Sequence, residues 1–226
     1  MNDLMPISLV AGLGNPGSNY AESRHNIGFM VLDHLIKRFS LIWKRGFQGE
    51  YCTLDVPTLS NQSIEAVGEA SPLSPPKANP KFRKVFFLKP FTFMNLSGNS
   101  VQELSYYYKI PPESIMAVHD DLDFPFGRVK LKFGGSSAGH NGIRSISASL
   151  GEDYYRLRIG VGGVNRALLK GYTAEYVLAP FTQKEKKQLN EYILFISETV
   201  EEVLHNDITV AMQIINQHNA PFPIAE

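Results

Sequence analysis

Short apolar runs alternate with stretches of helical spacing along most of this chain. Ile7 to Ala11 reads as a buried strand that ends in glycines. A loop rich in glycine, proline and asparagine follows. Ile27, Met30, Val31, Leu32, Leu35, Ile36 and Phe39 then recur at helical spacing, which predicts a helix over about Asn26–Phe39. Phe47–Leu54 and Ser63–Val67 look like strands around a turn. Ser71–Pro80, with the sequence SPLSPPKANP, has no apolar period and reads as a surface loop. Lys84–Leu88 predicts a second buried strand. Asn95–Tyr108 predicts a helix, stopped by Pro111 and Pro112. Ile115–Val118 is a third apolar strand, running into His119-Asp120-Asp121. Arg128–Phe133 alternates with period two, the mark of a half-exposed strand. Gly134–Gly139 is a small-residue loop, Asn141–Leu150 a short helix and Leu157–Val161 another strand. Thr182 and Glu185 have capping-box spacing. Behind them Leu189, Ile193, Ile196, Val200 and Leu204 line a helix, and a last helix covers about Ile208–Gln217.

Strands alternating with helices favour a single three-layer α/β domain with a mostly parallel or mixed sheet. At 226 residues the chain has ample length for its core. In such folds the loops at the carboxyl ends of the strands converge on the site. Composition narrows the class further. A formal net charge of zero leaves no strong global field for nucleic acid or membrane. One cysteine, Cys52, cannot form an internal disulfide and fits a reducing compartment. The first ten residues have no basic segment and too short an apolar run for a secretion signal. No run approaches the length of a membrane span. A cytoplasmic protein without membrane contact is the expectation.

Leu9–Gly28 holds the first candidate chemistry. Gly12-Leu13-Gly14-Asn15-Pro16-Gly17 matches a dinucleotide-binding fingerprint, with Asp33 near the offset of a ribose-binding acid. The context disagrees, because the helix begins about ten residues too late and Asp33 falls inside it. His25 sits at the lip of this loop. Asn15, Asn95, His119, Asp120 and Asn141 lie at other predicted strand ends or helix starts. If these ends share one rim, an imidazole can take a proton from water, a carboxylate can orient it, and carboxamides can hold a carbonyl. The plainer account is that His25 and Asn26 cap a helix and the asparagines serve turns. A metal set of His25, His119, Asp120, Asp121 and Asp123 lacks the spacing of zinc hydrolases, and HDDLD reads equally well as an acidic turn. There is no nucleophile elbow, and Cys52 lies in a predicted strand without a basic neighbour.

Charge is segregated. Phe124–Lys170 holds eight basic and two acidic residues, a net of +6, and from Phe181 onward the net is −4. Arg128, Lys130 and Lys132 alternate, so they are expected on one strand face. That can protect an edge strand, or it can bind phosphate.

Val10-Ala11-Gly12-Leu13-Gly14-Asn15-Pro16-Gly17, Tyr20, Arg24-His25-Asn26, Phe93-Met94-Asn95-Leu96-Ser97-Gly98, His119-Asp120-Asp121-Leu122-Asp123, Gly139-His140-Asn141-Gly142 and Arg156-Leu157-Arg158-Ile159-Gly160 resemble, in order, the signature blocks of bacterial peptidyl-tRNA hydrolase. The resemblance spans about Ile7 to Gln217. It implies an α/β fold, a single-domain α/β/α sandwich over residues 1–226 around a mixed, mostly parallel twisted sheet; the segment at about 55–82 looks longer than usual for the family and reads as a loop insertion. It implies hydrolysis of the ester joining a peptide to tRNA, by a monomer that needs no metal or cofactor. By the same resemblance His25 activates water, Asp120 supports it, and Asn15, Asn95 and Asn141 hold the peptide and the reacting carbonyl. Tyr20, Phe93, Met94 and His140 line the substrate channel, and Lys130, Lys132 and Arg158 hold tRNA phosphate. Gly134–Gly139 is less rich in glycine and histidine than in many relatives. A non-catalytic RNA-binding relative, akin to chloroplast splicing factors, is the alternative.

Overall fold

The computed structural model describes residues 5–58, 81–162 and 171–217. In chain order it contains β1 (Leu9–Gly12), α1 (Ile27–Arg38), β2 (Lys44–Gly46), β3 (Gly49–Pro57), β4 (Phe82–Pro90), α2 (Ser97–Tyr107), β5 (Ile115–Pro125), β6 (Val129–Phe133), α3 (Asn141–Leu150), β7 (Tyr155–Gly162), α4 (Thr173–Leu178), α5 (Gln183–His205) and α6 (Ile208–Gln217). Short 3-10 turns at Arg24–Asn26 and Met94–Leu96 lead into α1 and α2. The expected strand at Ser63–Val67 and the loop at Ser71–Pro80 lie outside the described residues. Pro57 and Phe82, near the ends of the expected insertion, are paired strand residues.

One seven-stranded sheet runs in the order β2-β3-β4-β1-β5-β7-β6. β4, β1, β5 and β7 are parallel neighbours, and β2, β3 and β6 add antiparallel edges. Strand alternation sorts the core into two layers. Val10, Val85, Phe87, Met116, Val118, Leu157 and Ile159 face α1, α5 and α6. Leu9, Ala11, Phe86, Leu88, Ile115 and Ala117 face α2 and α3. The fold is therefore a three-layer α/β/α sandwich. The capping box on α5 is present, with both Thr182 and Glu185 bonds formed. Among the described residues no helix is long and apolar enough to cross a membrane.

Two departures from the sequence reading have local causes. Phe47 belongs to a tight turn. Gly46 and Gly49 pair across it, and Phe47 and Gln48 both have φ of 53°, as the favoured two-residue hairpin turn requires. Neither is glycine, so the usual signal is missing. Phe47 is held instead by its ring contacts with Tyr51, Tyr107 and Tyr108. β5 extends through the acidic run to Pro125 because β7 pairs with it as far as Gly160, and again at Gly162 after a register shift.

The central strands share a direction, so their carboxyl ends share an edge. After β1 the chain crosses by α1 on one face, and after β4 by α2 on the other. The crevice between such crossovers is where α/β proteins place ligands. Gly28 keeps it narrow. A Cβ there would lie 2.4 Å from both Leu13 N and Val118 O, so only glycine lets the first turn of α1 rest on the ends of β1 and β5.

Candidate active site

A cleft of about 720 Å3 opens at this edge. Its lining includes Asn15, Tyr20, His25, Phe93, Met94, Asn95, Asp120, His140, Asn141, Lys132 and Arg158. The structure thus brings together eleven of the twelve residues to which the family resemblance gives a role. Lys130 is the exception and stands beside the lining, directly across from Arg158 on the β6–β7 ladder.

On the cleft floor Asp120, 2% exposed, receives two imidazoles on one oxygen. His25 Nδ1 lies 2.8 Å and His140 Nε2 lies 2.9 Å from Asp120 Oδ1. The tautomer of His140 follows from its other nitrogen. Nδ1 accepts the backbone N–H groups of Gly142 and Ile143 at 3.1 and 3.2 Å, capping α3, so the ring proton sits on Nε2 and is donated to Asp120. His25 correspondingly donates from Nδ1 and leaves Nε2 as an acceptor. Burial alone would raise the Asp120 carboxyl, but the charges and hydrogen bonds of His25 and His140 hold it well below the usual carboxylate range. For His25 burial favours the neutral ring, and Asp120 outweighs burial, leaving the pKa raised above that of an ordinary imidazole. His119 is different. Burial, followed by the charge of His140, pushes its pKa well below the ordinary value, and its Nδ1 donates to the Asp120 carbonyl at 2.8 Å.

The loop that the glycines shape is clamped by Asn26, whose sequence context suggested only a helix cap. Asn26 makes no side-chain cap bond. Its Oδ1 accepts Asn15 N–H at 2.8 Å and its Nδ2 donates to Asn15 O at 2.9 Å. Asn15 Oδ1 in turn accepts the Met94 N–H at 2.8 Å, which leaves the Asn15 NH2 group as the donor turned to the cleft. The same bond steadies Phe93, whose φ of 57° and ψ of 156° cost a non-glycine residue about 1–3 kcal/mol. Asn26→Ala would strand the N–H and C=O of buried Asn15. We expect it to lose about 2 kcal/mol of unfolding free energy together with activity. Wild-type denaturant stability in this variant would refute the clamp.

Arg24 carries no local sequence signal, because its partners lie more than 150 positions away. It is buried, donates to the Pro180 carbonyl at 2.8 Å and to Glu185 Oε2 at 2.7 Å, and stacks on Tyr176. It ties the His25 turn to α4, whose Val177 and Leu178 wall the cleft.

β6 and β7 form the cationic wall. Their apolar residues face α5 and α6, while Lys130 opposes Arg158 and Lys132 opposes Arg156 on the other face. Arg128 does not join them. It precedes the strand and reaches the Asn216 carbonyl. The edge of β6 is guarded by Asn216, whose amide pairs with both Leu131 N–H and C=O at 2.9 Å, so the lysines are not needed for that purpose. Arg156 is buried beneath the 134–139 loop, donating to the Gly135 and Ser136 carbonyls.

Asp33 and Cys52 serve the fold. Asp33 accepts from Trp43 Nε1 and Lys89 Nζ, and α1 starts ten residues after Gly17, so the glycine loop lacks the helix and the acid of a dinucleotide site. Lys89 and Lys44 do stand near Cys52, contrary to expectation, but burial dominates and pushes the thiol up to about 12. His25, Asp120 and His140 offer ligand atoms within 4.8 Å of one another. Their two ring N–H groups already converge on Asp120 Oδ1, so a cation there would displace both bonds.

A family model described as Peptidyl-tRNA hydrolase matches residues 9–222. The chain is 45% identical to the peptidyl-tRNA hydrolase of Desulfitobacterium hafniense (strain Y51), over 83% of this chain and 87% of the relative. It is 41% identical to that of Campylobacter curvus (strain 525.92), over 92% and 95%. The crystal structure of peptidyl-tRNA hydrolase from Acinetobacter baumannii superposes with a TM-score of 0.75 at 33% identity, covering 94% of this chain and 96% of that one. The chain belongs to the peptidyl-tRNA hydrolase family.

Proposed function

We propose that the cleft hydrolyses the ester between a peptide and the 3′-terminal ribose of tRNA, with His25 as general base. The observation that carries this reading is the His25 Nδ1–Asp120 Oδ1 hydrogen bond of 2.8 Å at the buried floor of the cleft. It leaves Nε2 to take a proton from water as the oxygen attacks the ester carbonyl. The Asn15 and Asn95 amides donate to the developing oxyanion. Collapse of the intermediate breaks the bond to the ribose oxygen, which takes the proton back from His25. The products are a peptide with a free carboxyl group and tRNA with a free ribose hydroxyl. Asn141 and His140 border the peptide path, and Tyr20 packs edge-on to Phe93 with ring centroids 6.5 Å apart at its mouth. The reading takes the protein as a single-domain monomer, and the one cysteine fits a cytoplasmic setting. The alternative of a non-catalytic RNA binder is not supported, since the matched relatives are named as hydrolases.

The reading is tested by release of tRNA from an N-blocked aminoacyl-tRNA, with unblocked aminoacyl-tRNA as the control. Lys130, Lys132 and Arg158 would hold the phosphates. Lys130→Ala combined with Lys132→Ala should weaken the tRNA substrate and reduce the slope of log(kcat/KM) against log[salt] by about 1–2. An equal loss on a small N-blocked ester would remove the phosphate assignment.

A further inference from the structure

Asp120, Asp121 and Asp123 crowd three acids into four residues, and the proposed chemistry uses only Asp120. Asp121 is buried, 7% exposed. A lone carboxylate is costly to bury, so its partners define its task. Oδ1 accepts the Asp123 backbone N–H at 2.9 Å. Oδ2 accepts Arg158 Nε–H at 2.6 Å. The Arg158 guanidinium also lies over the Phe124 ring, 4.4 Å from its centroid. One contact holds an edge of the guanidinium and the other a face, which fixes its plane. Nη1 and Nη2 have no hydrogen-bond partner among the described residues. They belong to a side chain that lines the cleft, with Lys130 directly opposite on β6. Like charges so placed repel, and a planar fork with two open donors suits a phosphate.

We propose that Asp121 is a positioning residue for tRNA: together with Phe124 it holds Arg158 so that the two Nη groups present a fork to a backbone phosphate. The proposal rests on the reading of the Lys130–Lys132–Arg158 wall as the phosphate surface. Asp120 and Asp121 are consecutive on β5 and project to opposite faces. One strand therefore sets both the carboxylate that orients the base and the carboxylate that orients the fork. The spacing between ester and phosphate becomes a property of rigid backbone.

The rival role is charge balance alone, and it predicts the opposite sign. Removing a negative charge from a cationic wall would then strengthen binding of tRNA. The test compares kcat and KM for an N-blocked aminoacyl-tRNA and for a phosphate-free N-blocked aminoacyl-adenosine, across a salt series. Asp121→Asn is expected to raise KM for the tRNA substrate on the order of tenfold relative to the adenosine ester. Its kcat on tRNA should change little, and its salt slope should flatten by about 1. Asp121→Glu should recover part of the loss. A lower KM with a steeper salt slope in Asp121→Asn would overturn the proposal. Arg158→Gln separates the phosphate surface from the positioning role. If it leaves the tRNA-to-ester ratio unchanged, the phosphate reading itself fails. If it lowers the ratio and Asp121→Asn does not, only the positioning role fails. Should Asp121→Asn not fold, Arg158→Lys carries the test, because lysine keeps the charge without the fork. A fall in the ratio supports the proposal, and full retention refutes it.

Discussion

His25→Ala is expected to lower kcat/KM for N-blocked aminoacyl-tRNA by about 100- to 10,000-fold, the usual contribution of a positioned general base. The fall should lie in kcat. On the proposed reading, binding surface is spread over the asparagines, Phe93 and the β6–β7 wall, and the imidazole would act mainly when the water proton moves. Single-turnover assays with enzyme in excess isolate that step. The wild-type rate should rise with pH as His25 loses its proton, and since Asp120 raises the pKa of His25, the midpoint should lie above that of a free imidazole. Full activity in His25→Ala would sink the mechanism.

Asp120→Asn should cost a comparable factor for two reasons, and the pH profile separates them. The first is charge. With the carboxylate gone, burial is the influence left on His25 and favours its neutral form, so the acidic limb should move to lower pH. The second is the proton's place. An amide NH2 group offered to Nδ1 favours the ring with its proton on Nε2, the nitrogen that must accept from water. More of the ring would be neutral, yet in the wrong tautomer. The expected result is a slower enzyme, on the order of 100- to 10,000-fold, with its limb displaced toward acid. A limb displaced toward higher pH would show that Asp120 does not govern His25. His140 shares the same Asp120 oxygen, and its partners on α3 hold it there, so neither imidazole can be considered without the other.

Much of this was legible in the sequence because it is local. Period-two alternation over Arg128–Phe133 already separated an apolar face from a cationic one, and Lys130 and Lys132 keep to that face while Arg128 precedes the strand. That the two lysines stand opposite Arg158 and Arg156 came only from the ladder register. The capping box of α5 was readable from Thr182 and Glu185 alone. The hairpin at Phe47–Gln48 was not, because a cluster of aromatic rings from α2 and β3 stabilises a backbone that glycine normally supplies. Asn26 differs from its sequence reading for a related reason. At a helix start, asparagine usually caps its own backbone, whereas here the Asn15 peptide group, eleven residues back, competes successfully for both ends of the amide.

The sequence by itself determined the layers of this protein, the strand ends that carry polar groups, and the family to which the chain belongs. These depend on spacing and on ordered blocks of residues. The tertiary structure alone decided which polar ends share an atom. Asp120 Oδ1 joins His25 and His140 across 95 and 20 positions, and Asp121 reaches Arg158 across 37. Hydrogen bonds of 2.6–2.9 Å between these distant residues are fixed by strand order and helix placement, which bring the carboxyl ends of β1 and β5 and the start of α3 to one edge. No local periodicity encodes that convergence.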